Sequence, residues 1–76
     1  MKKMPMMTSK IKHIDHNYTV RDDVASLINN PHGERSITFI ADNMRDIRDY
    51  DSLRIGSVVE FEYCEKYNHA HNVRRP

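Results

Sequence analysis

The chain has 76 residues, enough for one domain with a thin core, because a domain of this size buries only about 60% of its unfolded surface. Twelve basic and eleven acidic side chains give a formal net charge of +1, which excludes a polycation that binds nucleic acid through bulk charge. The one cysteine, Cys64, excludes an intramolecular disulfide and a cysteine-only zinc site, and it indicates a reducing compartment such as the cytoplasm. No apolar run approaches the roughly 20 residues that span a bilayer, so no membrane association is expected.

The N-terminal part is predicted to contain a tail and two short strands. Residues 1–8 are first basic and then briefly apolar, which is typical of a flexible tail, and a single domain is expected over residues 9–76. Apolar and charged residues mix from Ser9 to Ile14, with β-branched residues that predict a first strand. The β-prone segment Tyr18–Val20 predicts a second, very short strand.

The segment Arg21–Asn30 is compatible with two structures. Val24, Leu27 and Ile28 have helical spacing behind two aspartates that suit a helix N-terminus. A strand-like edge and one short helical turn both remain open here. The turn-forming residues 29–33 then end either element.

The middle of the chain predicts a strand followed by a charged helical turn. In Ser36–Ala41, three residues are expected to share the buried face: Ile37, Phe39 and Ala41. The segment Asp42–Asp51 is rich in Arg and Asp, and its apolar residues recur every three positions: Met44, Ile47 and Tyr50. This spacing predicts a helical turn over one end of the sheet.

The C-terminal third contains the clearest strand. In Ser57–Cys64, three residues alternate with polar ones and are expected to point inward: Val59, Phe61 and Tyr63. Tyr67–His71 is predicted to be a polar loop, and Ala70–Arg74 a closing strand. Short strands at regular spacing predict an all-β fold, a small five-stranded barrel of the oligonucleotide-binding (OB) type with a short helical turn.

Three segments of the chain resemble the bacterial cold-shock domain. Leu53–Glu62 is similar to its fourth strand, where a leucine precedes a glycine and a valine-x-phenylalanine pair, and Ala70–Arg74 is similar to its last strand. Ile11–Asp15 resembles its first strand. The resemblance implies a cold-shock-type OB barrel that binds single-stranded RNA or DNA by stacking bases on aromatic side chains.

The aromatic side chains that the family uses are mostly missing. The first family motif, lysine-glycine-aromatic-glycine-phenylalanine, is reduced to His16–Val20, in which only Tyr18 remains for stacking. The second motif becomes Thr38–Ala41, whose phenylalanine is expected to point inward, and His13 stands where the family has tryptophan. The resemblance therefore supports the fold better than the activity.

The sequence is compatible with two functions. The first is a single-stranded nucleic-acid-binding module, for which the resemblance and the basic residues indicate six contact residues: Lys10, Lys12, His13, His16, Tyr18 and Arg74. The second is a small adaptor or inhibitor that keeps the barrel and docks a protein partner, for example at a sheet edge left open by a shortened second strand.

Enzymatic chemistry is not expected, and neither is a cofactor or a metal site. His69 and His71 have the His-x-His spacing that places two rings on one strand face, but no carboxylate or cysteine stands at a familiar ligand spacing. The chain has two glycines and no phosphate-binding glycine loop. Ser52 and Ser57 have no evident base beside them.

Overall fold

The computed structural model describes residues 5–16 and 25–76. Within these ranges there are five strands: β1 (Met6–His13), β2 (Ser26–Ile28), β3 (Ile37–Phe39), β4 (Val58–Cys64) and β5 (His69–Arg74). Two short 3-10 helices lie between β3 and β4: η1 (Ala41–Asn43) and η2 (Ile47–Ser52).

The strands form a closed barrel in the order β1-β2-β3-β5-β4. All neighbours are antiparallel except β3 and β5, which run parallel and pair through Thr38 and His69. The prediction of a small, OB-like, all-β barrel with a short helical turn is confirmed. Closure also means that β2 is paired on both sides, by β1 and by β3. The second strand beside which an open edge was expected, Tyr18–Val20, lies outside the described residues.

The core follows the alternation of the strands. Val59 and Phe61 of β4 and Val73 of β5 are fully buried, as predicted. Ile37, Phe39 and Ala41 are also buried, and the inward orientation expected for Phe39 is confirmed. Burial of a large apolar side chain stabilises a fold by about 1.5–3 kcal/mol, so these layers hold the barrel together.

Two features of the N-terminal half differ from the sequence-based expectation. β1 begins at Met6, and the residues from Met6 to Thr8, expected to lie in a tail, pair with residues 60–62 of β4. In the ambiguous segment, Ser26–Ile28 is a strand, in which Ile28 is buried between Ile11 and Ile37 as cross-strand partners. The strand predicted at Tyr18–Val20 lies outside the described residues.

The helical turn between β3 and β4 is split in two. Met44 and Tyr50 are buried as expected, but Ile47 is 46% exposed. Met44 lies between the two separate helices η1 and η2, and Ile47 is the first residue of η2. Asp46 accepts a hydrogen bond from the backbone nitrogen of Arg48 and so caps the start of η2.

The hairpin of β4 and β5 is longer than predicted. Cys64 pairs with His69, so β5 begins within the segment Tyr67–His71 that was expected to be a loop. Residues 65–68 make the turn, and Asn68 at its end has a positive φ of 53°. A left-handed residue at this place reverses the chain tightly.

Gly56 occupies the other tight turn, before β4, with a φ of 91°. Gly56→Ala is expected to lower the free energy of unfolding by about 1–2 kcal/mol, because a Cβ atom is disfavoured in this backbone region. Steric contact adds nothing, since no atom lies within 4 Å of the Cβ position. Chemical denaturation measures the loss, and Gly33→Ala is the control: its Cβ would meet Asn30 at an ordinary 3.7 Å. Equal stabilities of the two variants would contradict this account.

Candidate functional site

The outer wall of β1 carries two cations. Lys10 and Lys12 are exposed, and the intervening Ile11 points into the core. The Lys12 ammonium donates to the Ser36 hydroxyl at the start of β3, at 3.1 Å. Neither of the two ion pairs within the described residues involves these lysines, so both charges face solvent.

His13 starts a row of side chains that crosses four strands on the outside of the barrel. An irregularity in β1 between Ile11 and His13 shifts the register, and His13 pairs with Leu27 of β2. Leu27 pairs with Thr38 of β3, and Thr38 with His69 of β5. We call these four residues, His13, Leu27, Thr38 and His69, the outer row.

The outer row is accessible. His13 is exposed, and the other three members are partly exposed, because each stands next to a residue that points inward. The row combines polar groups, the two imidazole rings and the Thr38 hydroxyl, with the apolar side chain of Leu27. Its edge on β1 carries Lys12, so the row and the exposed cations form one continuous surface.

His16 contacts residues of η2 and its end. Its Nε2 lies 3.0 Å from the carbonyl oxygen of Leu53, the residue that ends η2, and its ring meets the Tyr50 ring edge-on at 5.9 Å. A carbonyl can only accept, so Nε2 carries the proton. His16 therefore ties the end of β1 to η2 and does not extend the outer row.

Arg74 is held on a different part of the barrel wall. Its Nε donates to a carboxylate oxygen of Glu60 at 3.2 Å, and its two terminal nitrogens contact the Asn72 carbonyl and the Met6 sulfur. The Arg74 side chain is only 18% exposed. The structure thus does not bring Arg74 together with Lys12 and His13, and Tyr18 lies outside the described residues.

Sequence reasoning missed three members of the outer row and one turn. The alternation around Thr38 marks it as outward-facing, but Leu27 lay in a segment that also fitted a helix, and His69 in a predicted loop. Tyr67, in the turn between β4 and β5, is 65% exposed, and the Lys66 ammonium lies 5.3 Å from the centre of its ring.

The charged segment around η2 contains a solvent-exposed ion pair between Asp46 and Arg48. Side-chain hydrogen bonds from Arg48 lower the pKa of Asp46 below its ordinary value, at 3.1 Å to one carboxylate oxygen and 2.8 Å to the other. The Arg48 side chain is 86% exposed, and such pairs contribute little to stability. The positive charge of Arg48 is therefore balanced locally.

Metal ligation has no support in the arrangement of side chains. No three His, Cys, Asp or Glu side chains in the described ranges are grouped closely enough to hold an ion, although His69 and His71 place their rings 5.9 Å apart. Cys64 is a free, partly exposed thiol.

No protein-family model, no curated protein and no solved structure matches this chain. No helix in residues 5–16 or 25–76 has the length and apolar character needed to cross a membrane.

Proposed function

We propose that this protein is a single-stranded nucleic-acid-binding module that resembles the cold-shock proteins and binds RNA or DNA on the outer row and the adjacent β1 cations. OB barrels bind oligonucleotides on the face formed around their second and third strands, and the outer row lies on that face. The observation that carries the proposal is the placement on β1 of Lys10 and Lys12, neither of which is in an ion pair with a carboxylate of the described residues, with Lys12 next to His13 of this row and bonded to Ser36. Such a module would act in the cytoplasm, in keeping with the free thiol of Cys64.

Each group on this surface can contact a different part of a single-stranded nucleic acid. The lysines suit phosphates, which dominate the affinity of most nucleic-acid-binding proteins. The imidazole rings of His13 and His69 offer π faces to bases, and the Thr38 hydroxyl can both donate and accept hydrogen bonds. The row therefore has groups for backbone and base contacts together.

The binding is expected to be weaker than in an aromatic-rich relative of the same fold. Each stacking aromatic contributes about 1–3 kcal/mol per base, and among the described residues the row holds histidines and aliphatic groups in place of Phe and Trp. Phosphate contacts then supply most of the free energy of binding, so the affinity should depend strongly on salt.

Removal of the two lysine charges tests the proposal. Lys10→Gln combined with Lys12→Gln is expected to reduce the slope of log affinity against log salt by about 1.4, since each phosphate contact contributes about 0.7 with single strands. The measurement is fluorescence anisotropy with labelled oligothymidine and oligouridine of about ten nucleotides, within the usual site size of an OB fold.

A control with the same change in net charge separates local from global electrostatics. Arg45→Gln combined with Arg75→Gln removes two exposed charges that lie outside the strands, between η1 and η2 and after β5, and the slope should stay that of the wild type. If the wild type binds neither oligonucleotide at about 50 mM salt, where phosphate contacts are strongest, the proposal is overturned. An equal decrease of the salt slope in both double variants would contradict the assignment of the phosphate contacts to β1.

A protein-docking function has less support. The closed barrel offers no strand edge among the described residues, and the exposed large apolar side chains are spread over several elements: Met6, Ile47, Ile55, Val58 and Tyr67. Stable interfaces need a contiguous buried patch of about 800 Å² per partner.

A further inference from the structure

The turn between β4 and β5 holds an exposed aromatic ring on a fixed backbone. Tyr67 is 65% exposed, but the next residue, Asn68, is 8% exposed. The Asn68 side chain donates to the Ser36 carbonyl at 2.7 Å and accepts from the Tyr63 hydroxyl at 2.9 Å. The ring of Tyr67 is thus presented to solvent by a turn that is anchored immediately beside it.

The same anchor places the turn beside the outer row. The Asn68 carbonyl accepts from the backbone nitrogen of Thr38 at 3.1 Å, and its successor His69 pairs with Thr38. Ser36, whose carbonyl Asn68 binds, also accepts the hydrogen bond from Lys12. Tyr67 therefore lies two residues before His69 of the outer row, on a turn that is hydrogen-bonded to Ser36 and Thr38.

We infer that Tyr67 supplies the base-stacking platform of this surface, with Lys66 as its phosphate contact; this inference rests on the proposed function. A phenol ring stacks on any base, since every base has a π face. The Lys66 ammonium lies over one face of the ring, 5.3 Å from its centre, so a base would stack on the opposite face and Lys66 would contact its phosphate. A strand lying along the outer row thus meets its aromatic contact at the β5 end and its cations at the β1 end.

Three variants test the role of Tyr67 in the full chain. Tyr67→Ala is expected to weaken binding of a labelled oligothymidine by about fivefold to 150-fold, the loss of one stacked base. Tyr67→Phe keeps the ring and should stay within about twofold of the wild type. Ile47→Ala, which truncates an exposed side chain on η2, should leave the affinity unchanged.

Tyrosine emission gives a second readout that a structural role would not move. The chain has four tyrosines and no tryptophan, so stacking on Tyr67 should quench the emission of the wild type, and Tyr67→Phe should lose that part of the quenching. Wild-type binding with an unchanged affinity of Tyr67→Ala overturns this inference and leaves the proposed function standing. Absence of wild-type binding overturns both.

Discussion

Asn68→Ala is expected to lower the free energy of unfolding by about 3 kcal/mol, a large part of the stability of a domain of this size. Three losses add up. Alanine is disfavoured at a φ of 53°, the Ser36 carbonyl loses its donor, and the Tyr63 hydroxyl loses its acceptor. Partly buried groups left without a partner cost about 1–3 kcal/mol each.

The position matters because Asn68 closes the barrel. β3 and β5 share a single pair, Thr38 with His69, and the Asn68 carbonyl adds two hydrogen bonds from Thr38, from its nitrogen at 3.1 Å and from its hydroxyl at 3.3 Å. The side chain of Asn68 holds this carbonyl in place. Loss of the Asn68 side chain is therefore expected to weaken the contact between β3 and β5 that closes the barrel.

Asn72 provides a matched control within the chain. It is also an asparagine with a positive φ, 50°, and its side chain also donates one hydrogen bond, to Glu62 at 2.7 Å. However, Asn72 is exposed, so Asn72→Ala should cost only about 1 kcal/mol. Urea denaturation of both variants, with Asn68→Gly to separate backbone strain from side-chain loss, measures the difference. Equal losses at the two positions would contradict the closing role of Asn68.

Local alternation was sufficient to predict most of the core. Val59 and Phe61 alternate with glutamates. In a strand with one solvent-exposed face, such apolar residues point inward whichever strands lie beside it. Ile37 and Phe39 follow the same rule. The barrel was inferred from the spacing of the strands and from the resemblance, whereas the strand order was not predicted, because pairing itself leaves no local mark on the sequence.

Features set by distant contacts were not predicted. His69 belongs to β5 because Asn68 is held by Ser36, 32 residues away. β1 extends to Met6 because β4 has free positions opposite, and nothing in the N-terminal residues themselves indicates a partner.

The candidate site divides in the same way. Lys10, Lys12 and His13 were found because a short basic strand is visible in the sequence. Arg74 and His16 were included for their charge and ring alone, and their partners, Glu60 and the Leu53 carbonyl, are 14 and 37 residues away. The exposure of Tyr67 was not predicted because it depends on a turn whose anchor, the Ser36 carbonyl, is equally remote.

Tyr50→Phe is expected to lower the free energy of unfolding by about 1–3 kcal/mol through a hydrogen-bonded ring at the base of the barrel. The Asp15 nitrogen donates to the Ser26 hydroxyl at 2.9 Å, the Ser26 and Tyr50 hydroxyls lie 2.7 Å apart, and the Tyr50 hydroxyl donates to the Asp15 carbonyl. Since each hydroxyl has one proton, Ser26 must donate to Tyr50. Ser26 is fully buried and Tyr50 is 1% exposed, so the two hydroxyls are shielded from solvent.

A double-mutant cycle tests whether the two hydroxyls act together. Ser26→Ala should cost about as much as Tyr50→Phe, and the double variant should lose less than the sum, because each single substitution already breaks the hydrogen bond that the two hydroxyls share. Tyr67→Phe and Ser9→Ala, with hydroxyls on the surface, are the controls and should change stability by less than about 0.5 kcal/mol. Strict additivity of Ser26→Ala and Tyr50→Phe would mean that η2 is joined to the segment after β1 by packing, such as the edge-on contact of Tyr50 with His16 at 5.9 Å, and not by the ring of hydrogen bonds.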